Sequence, residues 1–289
     1  MRTFGICMAM TAGALMTAPV SAAVLSDDFE VDSSASYSVL ENGGPDSSIA
    51  FAYDYIAAGL PLAPNSTAGD VGGLRMTVND SIGASNTLTA FHNTAVTAAA
   101  YRMSVDIYMG VEGTSGTTEF ATVGVAGDGS VTNSIFTPIQ GTGHFVSITG
   151  EGGSSSDYRH STPSTLAVPS GDTSYLNSTN TTNATGDTYQ AIYPATDFPG
   201  SPGNGWTTLS IEVDDQNVTY FLDGTPIIRT STGLDGDLVN LGYHEAFGSV
   251  ATPFQSMYIV YDNLNVDVIP EPASLALMGL GGLAMLRRR

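Results

Sequence analysis

Two carboxylates stand one residue apart in the segment Glu212-Val213-Asp214. On a β-strand, residues two positions apart face the same side, so these two side chains would lie together. A pair of carboxyl groups on one surface could act as nucleophile and general acid at a glycosidic bond. A solvent-exposed strand end that runs into an acidic turn explains the same residues. We favour this second interpretation.

The segment is similar to the active-site strand of glycoside hydrolases that have a two-sheet sandwich fold. In that family a further Glu follows the Asp and supplies the acid/base, whereas this chain has Asn217 at the matching position. The chain also lacks a Gly-x-Ser-x-Gly motif, and its single cysteine, Cys7, lies in a segment that we predict is removed. We therefore expect a protein that is not an enzyme and has no catalytic residues.

The chain is strongly acidic. It has 28 Asp and Glu residues against 8 basic residues, all of them Arg, and its formal net charge is -20. Such a charge repels phosphate backbones, so nucleic acid is excluded as a partner. Calcium is the cofactor that the sequence favours, because this cation takes carboxylate oxygens. If the first and last strands pair, Asp28 and Asp262 could hold a structural calcium ion.

A second, weaker calcium candidate is Asp235-Gly236-Asp237 with Asn240, which lacks the remaining ligands of a full calcium loop. An acidic face exposed to salty surroundings is the alternative for any of these clusters. Zinc has no support, because the histidines are scattered without a short ligand spacing. We expect His244-Glu245 to lie on a strand near the final one. The four histidines are His92, His144, His160 and His244.

The elements that must position these side chains are β-strands. Between residues 24 and 268, β-branched and aromatic residues alternate with polar ones in short runs, as at 101–108 and 207–213, without helical periodicity. A hydrophobic fraction of 42% is enough for a sizeable core. The pattern predicts an all-β protein with an antiparallel two-sheet sandwich.

The clearest local unit spans residues 206–230. It divides into a strand that ends near Val213, a strand at 218–222 and a strand at 227–230. The turn Asp223-Gly224 between alternating apolar residues is a strong hairpin signal. We predict a three-stranded meander here.

Three segments resemble concanavalin A-like and laminin-G-like sandwiches. The hairpin at 218–227, the final strand at 257–266 and the opening strand at 26–30 match strands of those folds. The resemblance implies a jelly-roll sandwich whose concave sheet could present exposed aromatics to sugar rings.

The region from Gly150 to Gly205 is rich in Ser, Thr, Gly and Asn. Because a structureless loop of this length is unusual in a compact domain, we expect short strands at 157–159 and 189–193 within it. No second domain is required.

The N-terminus has the order of a secretory signal peptide. Arg2 precedes an apolar stretch at residues 4–18, and small residues follow Pro19. We predict a signal helix in residues 1–23, with cleavage after Ala22 or Ala23. The alternative is a first helix of the fold itself.

The C-terminus combines three features: Pro270-Glu271-Pro272, an apolar stretch at 273–286, and Arg287-Arg288-Arg289. The apolar stretch predicts a short anchor helix, and the terminal arginines would stop transfer on the cytoplasmic side. The two prolines interrupt any helix that would run into the body, so they mark an exposed joint.

This tail resembles the PEP-CTERM sorting domain of Gram-negative bacteria. The resemblance implies a membrane-bound exosortase as the processing partner and display at the cell surface or release into extracellular polymer. We therefore divide the chain into a signal peptide at 1–23, a sandwich at 24–268 and a sorting and anchor segment at 269–289. The expected function is that of a non-catalytic surface or matrix protein associated with exopolysaccharide. The alternatives are a calcium-dependent carbohydrate-binding module and, third, a glycoside hydrolase or lyase.

Overall fold

A computed structural model describes residues 23–44, 46–111, 118–151, 157–176, 188–193, 200–231, 233–250 and 257–270. It consists of two antiparallel sheets packed face to face, so the predicted all-β, two-sheet jelly-roll sandwich is confirmed. The strands are β1 (Ala23–Asp27), β2 (Tyr37–Asn42), β3 (Ser47–Ala50), β4 (Leu74–Val78), β5 (Asn86–His92), β6 (Tyr101–Gly110), β7 (Glu119–Gly127), β8 (His144–Thr149), β9 (Tyr158–Ser161), β10 (Trp206–Val213), β11 (Asn217–Leu222), β12 (Thr225–Ser231), β13 (Leu238–Glu245) and β14 (Tyr258–Val268).

The larger sheet has eight strands in the order β12-β11-β10-β6-β14-β4-β3, with β1 also paired to β14. The smaller sheet has six strands in the order β2-β5-β13-β7-β8-β9. Alternation decides which side chains enter the space between the sheets. On β6 the residues at odd positions join the core, whereas Arg102 is exposed and Ser104 is half-buried on the outer face.

Strand β14 organises the larger sheet. One of its edges pairs with β6, and the other pairs first with β4 and then with β1. The first and last strands therefore pair, which was the condition for bringing Asp28 near Asp262. The ladder with β6 is irregular between Asp262 and Asn265, and Asn263 lies there with a φ of 54°. This irregularity directs the polar side chains of 262–265 toward the outer face.

The opening strand starts and ends earlier than the predicted 26–30, because β1 is Ala23–Asp27. The Asp27 carboxylate accepts a hydrogen bond from the backbone N–H of Phe29 at 2.9 Å, which turns the chain immediately after the strand. Phe29 then lies in the core.

The predicted meander is confirmed as β10, β11 and β12. The turn residues Asp223 and Gly224 have φ values of 46° and 76°. Two consecutive positive φ angles are the geometry that an Asp-Gly hairpin turn favours.

One of the two strand predictions for the polar region at 150–205 is wrong. Residues Thr188–Ile192 form a short helix, α1, where we predicted a strand at 189–193. The rings of Tyr189 and Tyr193, four residues apart, meet edge to face at 5.4 Å and are both buried. In a helix, side chains four residues apart lie one turn apart and can touch, whereas in a strand such residues share a face but are about 13 Å apart. The other expected strand is present as β9.

No helix within the described residues is long and apolar enough to cross a bilayer. Ala23 begins β1, and Pro270 follows β14. The predictions for the signal helix, the anchor helix, Ala22, Glu271, Pro272 and the three terminal arginines fall outside the described residues.

Candidate functional site

The outer face of the eight-stranded sheet has two halves. One half is covered by the loop at 51–73, whose Tyr55 is fully buried against Tyr108, Trp206 and Val260. The ring of Trp206 lies 5.3 Å from that of Tyr55 and 5.5 Å from that of Tyr108, centre to centre. Its indole N–H donates to the carbonyl of Pro61 at 2.7 Å. The aromatic residues of this half therefore pack under the loop.

The other half of the face is an open groove with a volume of about 770 Å³. This volume lies within the range of small-molecule sites. Strands β1, β6, β10 and β14 form most of it. Its lining residues are Ser26, Asp27, Asp28, Val31, Ser33, Ser36, Asn65, His92, Arg102, Ser104, Thr208, Ser210, Asn263, Leu264, Asn265 and Asp267.

Hydrogen-bonding groups dominate the groove. Arg102 donates from one guanidinium nitrogen to Ser210 Oγ at 3.2 Å and from the other to Glu212 Oε1 at 3.1 Å. The Asn265 amide donates to Asp267 at 2.5 Å. No Phe, Tyr or Trp belongs to the part of the groove lining that the structure describes. The groove can therefore bind a ligand by hydrogen bonds rather than by ring stacking.

Two buried aspartates join the covered half to the groove. Asp106 on β6 and Asp262 on β14 are cross-strand partners and are almost fully buried. Asp106 accepts hydrogen bonds from the backbone and side chain of Asn65 at 2.9 and 2.8 Å, from the Thr208 hydroxyl at 2.6 Å and from the Asn263 amide at 3.0 Å. This carboxylate thus ties loop 51–73 to three strands.

Asp262 is satisfied by hydroxyl groups. It accepts from Tyr55 at 2.9 Å and Ser66 at 2.8 Å, and from the backbone N–H of Asn263 at 2.7 Å. Burial raises the pKa of Asp262 from 3.8 to about 6, the hydrogen bonds oppose that rise, and the nearby Asp106 adds to it.

The predicted calcium ligands have different surroundings. Asp28 is exposed on the rim of the groove, where it accepts from the Glu30 backbone N–H at 3.2 Å, whereas Asp262 is buried. In the second candidate, Asp235 accepts from the Gly143 N–H and Asn240 from the Asn133 amide, so these residues serve separate contacts. Among the described residues, no three His, Cys, Asp or Glu side chains are grouped to hold a metal ion.

The paired carboxylates of the sequence are also engaged separately. Glu212 forms the ion pair with Arg102, and Asp214 accepts the backbone N–H groups of Gln216 and Asn217 in the turn. This geometry matches the interpretation of an acidic turn at a strand end.

The histidines lie on different strands. His92 lines the groove, and His144 and His160 line a second cavity of about 300 Å³. His244 lies on β13, as predicted, in the sheet that faces the final strand, and its Nδ1 is 2.7 Å from the Thr87 hydroxyl. Burial lowers the pKa of His160 and of His244 to about 4, so both are neutral at pH 7.

Sequence reasoning missed Asp106, Ser210 and Asn265 as site residues. A signal was present for Asp106, because it is one of the polar residues that alternate with apolar ones in the run at 101–108. Nothing in the sequence shows that β6 pairs with β14 and β10 rather than with its neighbours in the chain.

Comparison with known proteins identifies one segment and a set of similar folds. Residues 268–289 match the PEP-CTERM protein-sorting motif. No curated protein matches the chain.

Similar solved structures include the exoplasmic/lumenal domain of VIP36 in its Ca²⁺/Man-bound form, with 10% identity, a TM-score of 0.44 and coverage of 82% of this chain and 84% of that one. The carbohydrate recognition domain of Emp47p has 9% identity, a TM-score of 0.41 and coverage of 81% and 88%. A Bacillus subtilis protein of unknown function with a galectin-like fold has 10% identity, a TM-score of 0.42 and coverage of 86% and 96%. The chain is therefore an antiparallel two-sheet sandwich that carries a PEP-CTERM sorting motif at its C-terminal end.

Proposed function

We propose that this protein is an exported, non-catalytic component of the cell envelope or extracellular matrix, and that its groove binds exopolysaccharide. The observation that carries the proposal is the open half of the sheet face, a groove lined by Ser, Thr, Asn, Asp and Arg side chains. Such groups donate and accept hydrogen bonds in the way that sugar hydroxyls require.

The charge of the groove favours a neutral glycan. Asp27, Asp28 and Asp267 line it together with one cation, Arg102, which is already paired with Glu212. An acidic polysaccharide would meet repulsion from these carboxylates and from a chain of net charge -20. Uncharged sugars avoid this cost and use the same donors and acceptors.

Delivery follows from the sorting motif. A protein with this motif is exported, and its C-terminal tail is cleaved by an exosortase-type membrane enzyme. We propose that residues 1–23 are a signal peptide removed after Ala22 or Ala23, that 24–268 remain as the mature body, and that 269–289 anchor the chain transiently with Arg287 to Arg289 in the cytoplasm. Cleavage after Ala22 would leave the whole of β1 in the mature chain.

A second candidate is calcium-dependent glycan binding through Asp28 and Asp262. The exposed carboxylate of Asp28 in the groove lining supports it, whereas Asp262 would have to exchange its three hydrogen bonds for the ion. In this arrangement a calcium ion would bridge the groove rim and the sugar.

The test is a binding assay of the full-length chain on neutral and acidic polysaccharides, with calcium and with chelator. We expect binding to a neutral glycan, weakened about tenfold by Asn265→Ala, which removes one groove amide worth about 1 to 1.5 kcal/mol. The matched control is Thr225→Ala on β12, outside the groove lining, which should bind like the unsubstituted chain.

Three outcomes separate the alternatives. Glycan binding that Asn265→Ala leaves unchanged contradicts the groove as the binding site. Binding lost in chelator and in Asp28→Asn supports the calcium-dependent form. Absence of binding to every polysaccharide contradicts glycan recognition.

A further inference from the structure

Three adjacent strands of the smaller sheet place polar residues in one row. Asn86 on β5, Glu245 on β13 and Glu119 on β7 are cross-strand partners in register. Their exposed fractions are 1%, 0% and 1%. The residues two positions along these strands, Leu88, Tyr243 and Ala121, belong to the core, so the row faces the space between the sheets.

The two glutamates concentrate negative charge in this buried row. Glu245 is fixed by the backbone N–H groups of Phe247 and Gly248 and by the Thr118 hydroxyl, which donates at 2.6 Å. Glu119 accepts the Thr118 N–H at 3.1 Å. Two neighbouring carboxylates out of water repel each other unless a proton or a cation lies between them.

The surrounding amides supply further oxygens. Asn86 directs its amide nitrogen to the carbonyl of Gly44 at 3.2 Å, and its Oδ1 is buried without a hydrogen-bond donor among the described residues. The Asn79 amide donates to the carbonyl of Ser249 at 2.9 Å, and Asn79 Oδ1 is also buried without a hydrogen-bond donor among the described residues. A buried acceptor that lacks a donor costs about 1 to 3 kcal/mol, so such oxygens can accept a hydrogen bond or coordinate a cation.

Asn86 lies beside Glu245 by strand register, and a chain of contacts connects Asn79 to Glu245 through Ser249 and Thr118. The Ser249 hydroxyl lies 2.8 Å from the Thr118 hydroxyl, which in turn donates to Glu245. The set therefore joins carboxylate, amide and hydroxyl oxygens from β5, β7, β13 and the segments that follow β4 and β13.

We propose that Glu119, Glu245, Asn86 and Asn79 form a buried calcium site at this end of the sandwich. Oxygen ligands of this kind select a hard divalent cation. Calcium is favoured over magnesium because it accepts irregular sets of protein oxygens, whereas magnesium requires a regular octahedron and retains its water. The site lies between the sheets and is separate from Asp28 and Asp262, which are associated with the outer face of the larger sheet.

The ion would act as a structural clamp. It offsets the charge of the two glutamates and joins three strands to two chain segments, so it binds the folded state alone. The test compares calcium, magnesium and chelator at matched ionic strength, with the full-length chain followed by calorimetric titration and thermal unfolding. We expect calcium, and magnesium much less, to raise the melting temperature.

Glu119→Gln is the discriminating variant. Glutamine has the shape of a protonated glutamate, so the variant can fold without metal, but it lacks one ligand charge. Calcium affinity should fall about tenfold or more, because affinity in such sites follows the number of charged ligands. The matched control is Asp214→Asn, an exposed acid in the turn after β10 and outside the groove lining, which should keep the calcium response of the unsubstituted chain.

A second variant changes affinity in the opposite direction. Asn86→Asp adds a third carboxylate to the row and should tighten calcium binding about tenfold, as measured by the same titration. The proposal is overturned by a chain that shows no calcium response, by a response that survives Glu119→Gln, by weaker binding in Asn86→Asp, or by a response that Asp214→Asn abolishes. A proton shared by the two glutamates would give the first of these results.

Discussion

Each sheet contains one pair of buried acids, but one pair lies on the outer face of the larger sheet and the other faces the space between the sheets, and their surroundings differ. Asp106 and Asp262 are cross-strand partners in the larger sheet, and Glu119 and Glu245 are cross-strand partners in the smaller one. The aspartates receive donors from a loop that folds over them, among them the Asn65 backbone N–H. Glu245 accepts from the N–H groups of the following turn and from Thr118, and the amide oxygen of Asn86, its neighbour in register, has no donor among the described residues.

The difference shows that burial of an acidic pair does not by itself define its role. Where neutral donors converge, as around Asp106, the carboxylate fastens a loop to the sheet. Where two carboxylates adjoin and the amide oxygen beside them has no donor among the described residues, as at Glu119, Glu245 and Asn86, a positive charge would stabilise the set. We therefore assign a structural role to the first pair and a cation to the second.

The largest effect should follow from removal of the Asp106 carboxylate, which holds loop 51–73 on the sheet. Asp106→Ala leaves the Asn65 N–H, the Asn65 amide and the Thr208 hydroxyl without their acceptor. We expect the free energy of unfolding to fall by about 3 kcal/mol, because unsatisfied buried donors lose both the bond and their hydration. Denaturation by urea, followed by fluorescence of Trp206 beneath the same loop, measures this loss.

The control for this variant is Asp214→Ala. Asp214 also accepts backbone N–H groups, but it lies in an exposed turn, so its loss should cost less than about 1 kcal/mol. Equal losses in the two variants would show that Asp106 does not fasten the loop.

An intermediate effect should appear in the pH dependence of the free energy of unfolding. The pKa of Asp262 is raised by burial to about 6, so the folded state holds this proton more tightly than the unfolded state. The stabilisation of the folded state by protonated Asp262 is complete below about pH 4 and is lost as the pH rises through about 6. We expect the free energy of unfolding to fall by about 1 to 2 kcal/mol across this window relative to Asp262→Asn, a value reduced for screening by solvent in the groove.

Urea titrations of both chains at several pH values measure the difference. A constant gap between the chain and Asp262→Asn from pH 4 to pH 7 would contradict the raised pKa and with it the buried state of this carboxyl group. Calcium-free buffer with chelator should be used throughout, so that the second pair contributes equally to both chains.

The sequence predicts those features of the fold that depend on residues close together in the chain. Alternation in the run at 101–108 indicates the two faces of β6, and Asp223-Gly224 indicates the hairpin of β11 and β12. The sorting motif is also local, because it is read from contiguous residues. The wrong strand at 189–193 shows the limit of such patterns, since Tyr189 and Tyr193 suit either element and their packing selects a helix.

The acidic pairs, in contrast, depend on the pairing of strands that are distant in the sequence. Asp106 meets Asp262 only because β6 pairs with β14, and Glu119 meets Glu245 only because β7 pairs with β13. Each strand could pair in other registers that preserve its buried face, and the long connections between them set no register. Sequence reasoning selected Asp262 as a ligand from its place on the last strand, but it could not supply the partners that surround it.

The smallest effect should follow from Glu212→Gln, which replaces an acid that belongs to neither pair. Its side chain is 36% exposed and that of its partner Arg102 is 44% exposed, so their ion pair at 3.1 Å contributes about 0.5 kcal/mol at most. The variant should unfold in urea almost like the unsubstituted chain, and neither should release sugar from a polysaccharide panel. Hydrolysis that Glu212→Gln abolishes would contradict the non-catalytic role. It would also identify Glu212, and not one of the buried acids, as a reactive carboxylate of this molecule.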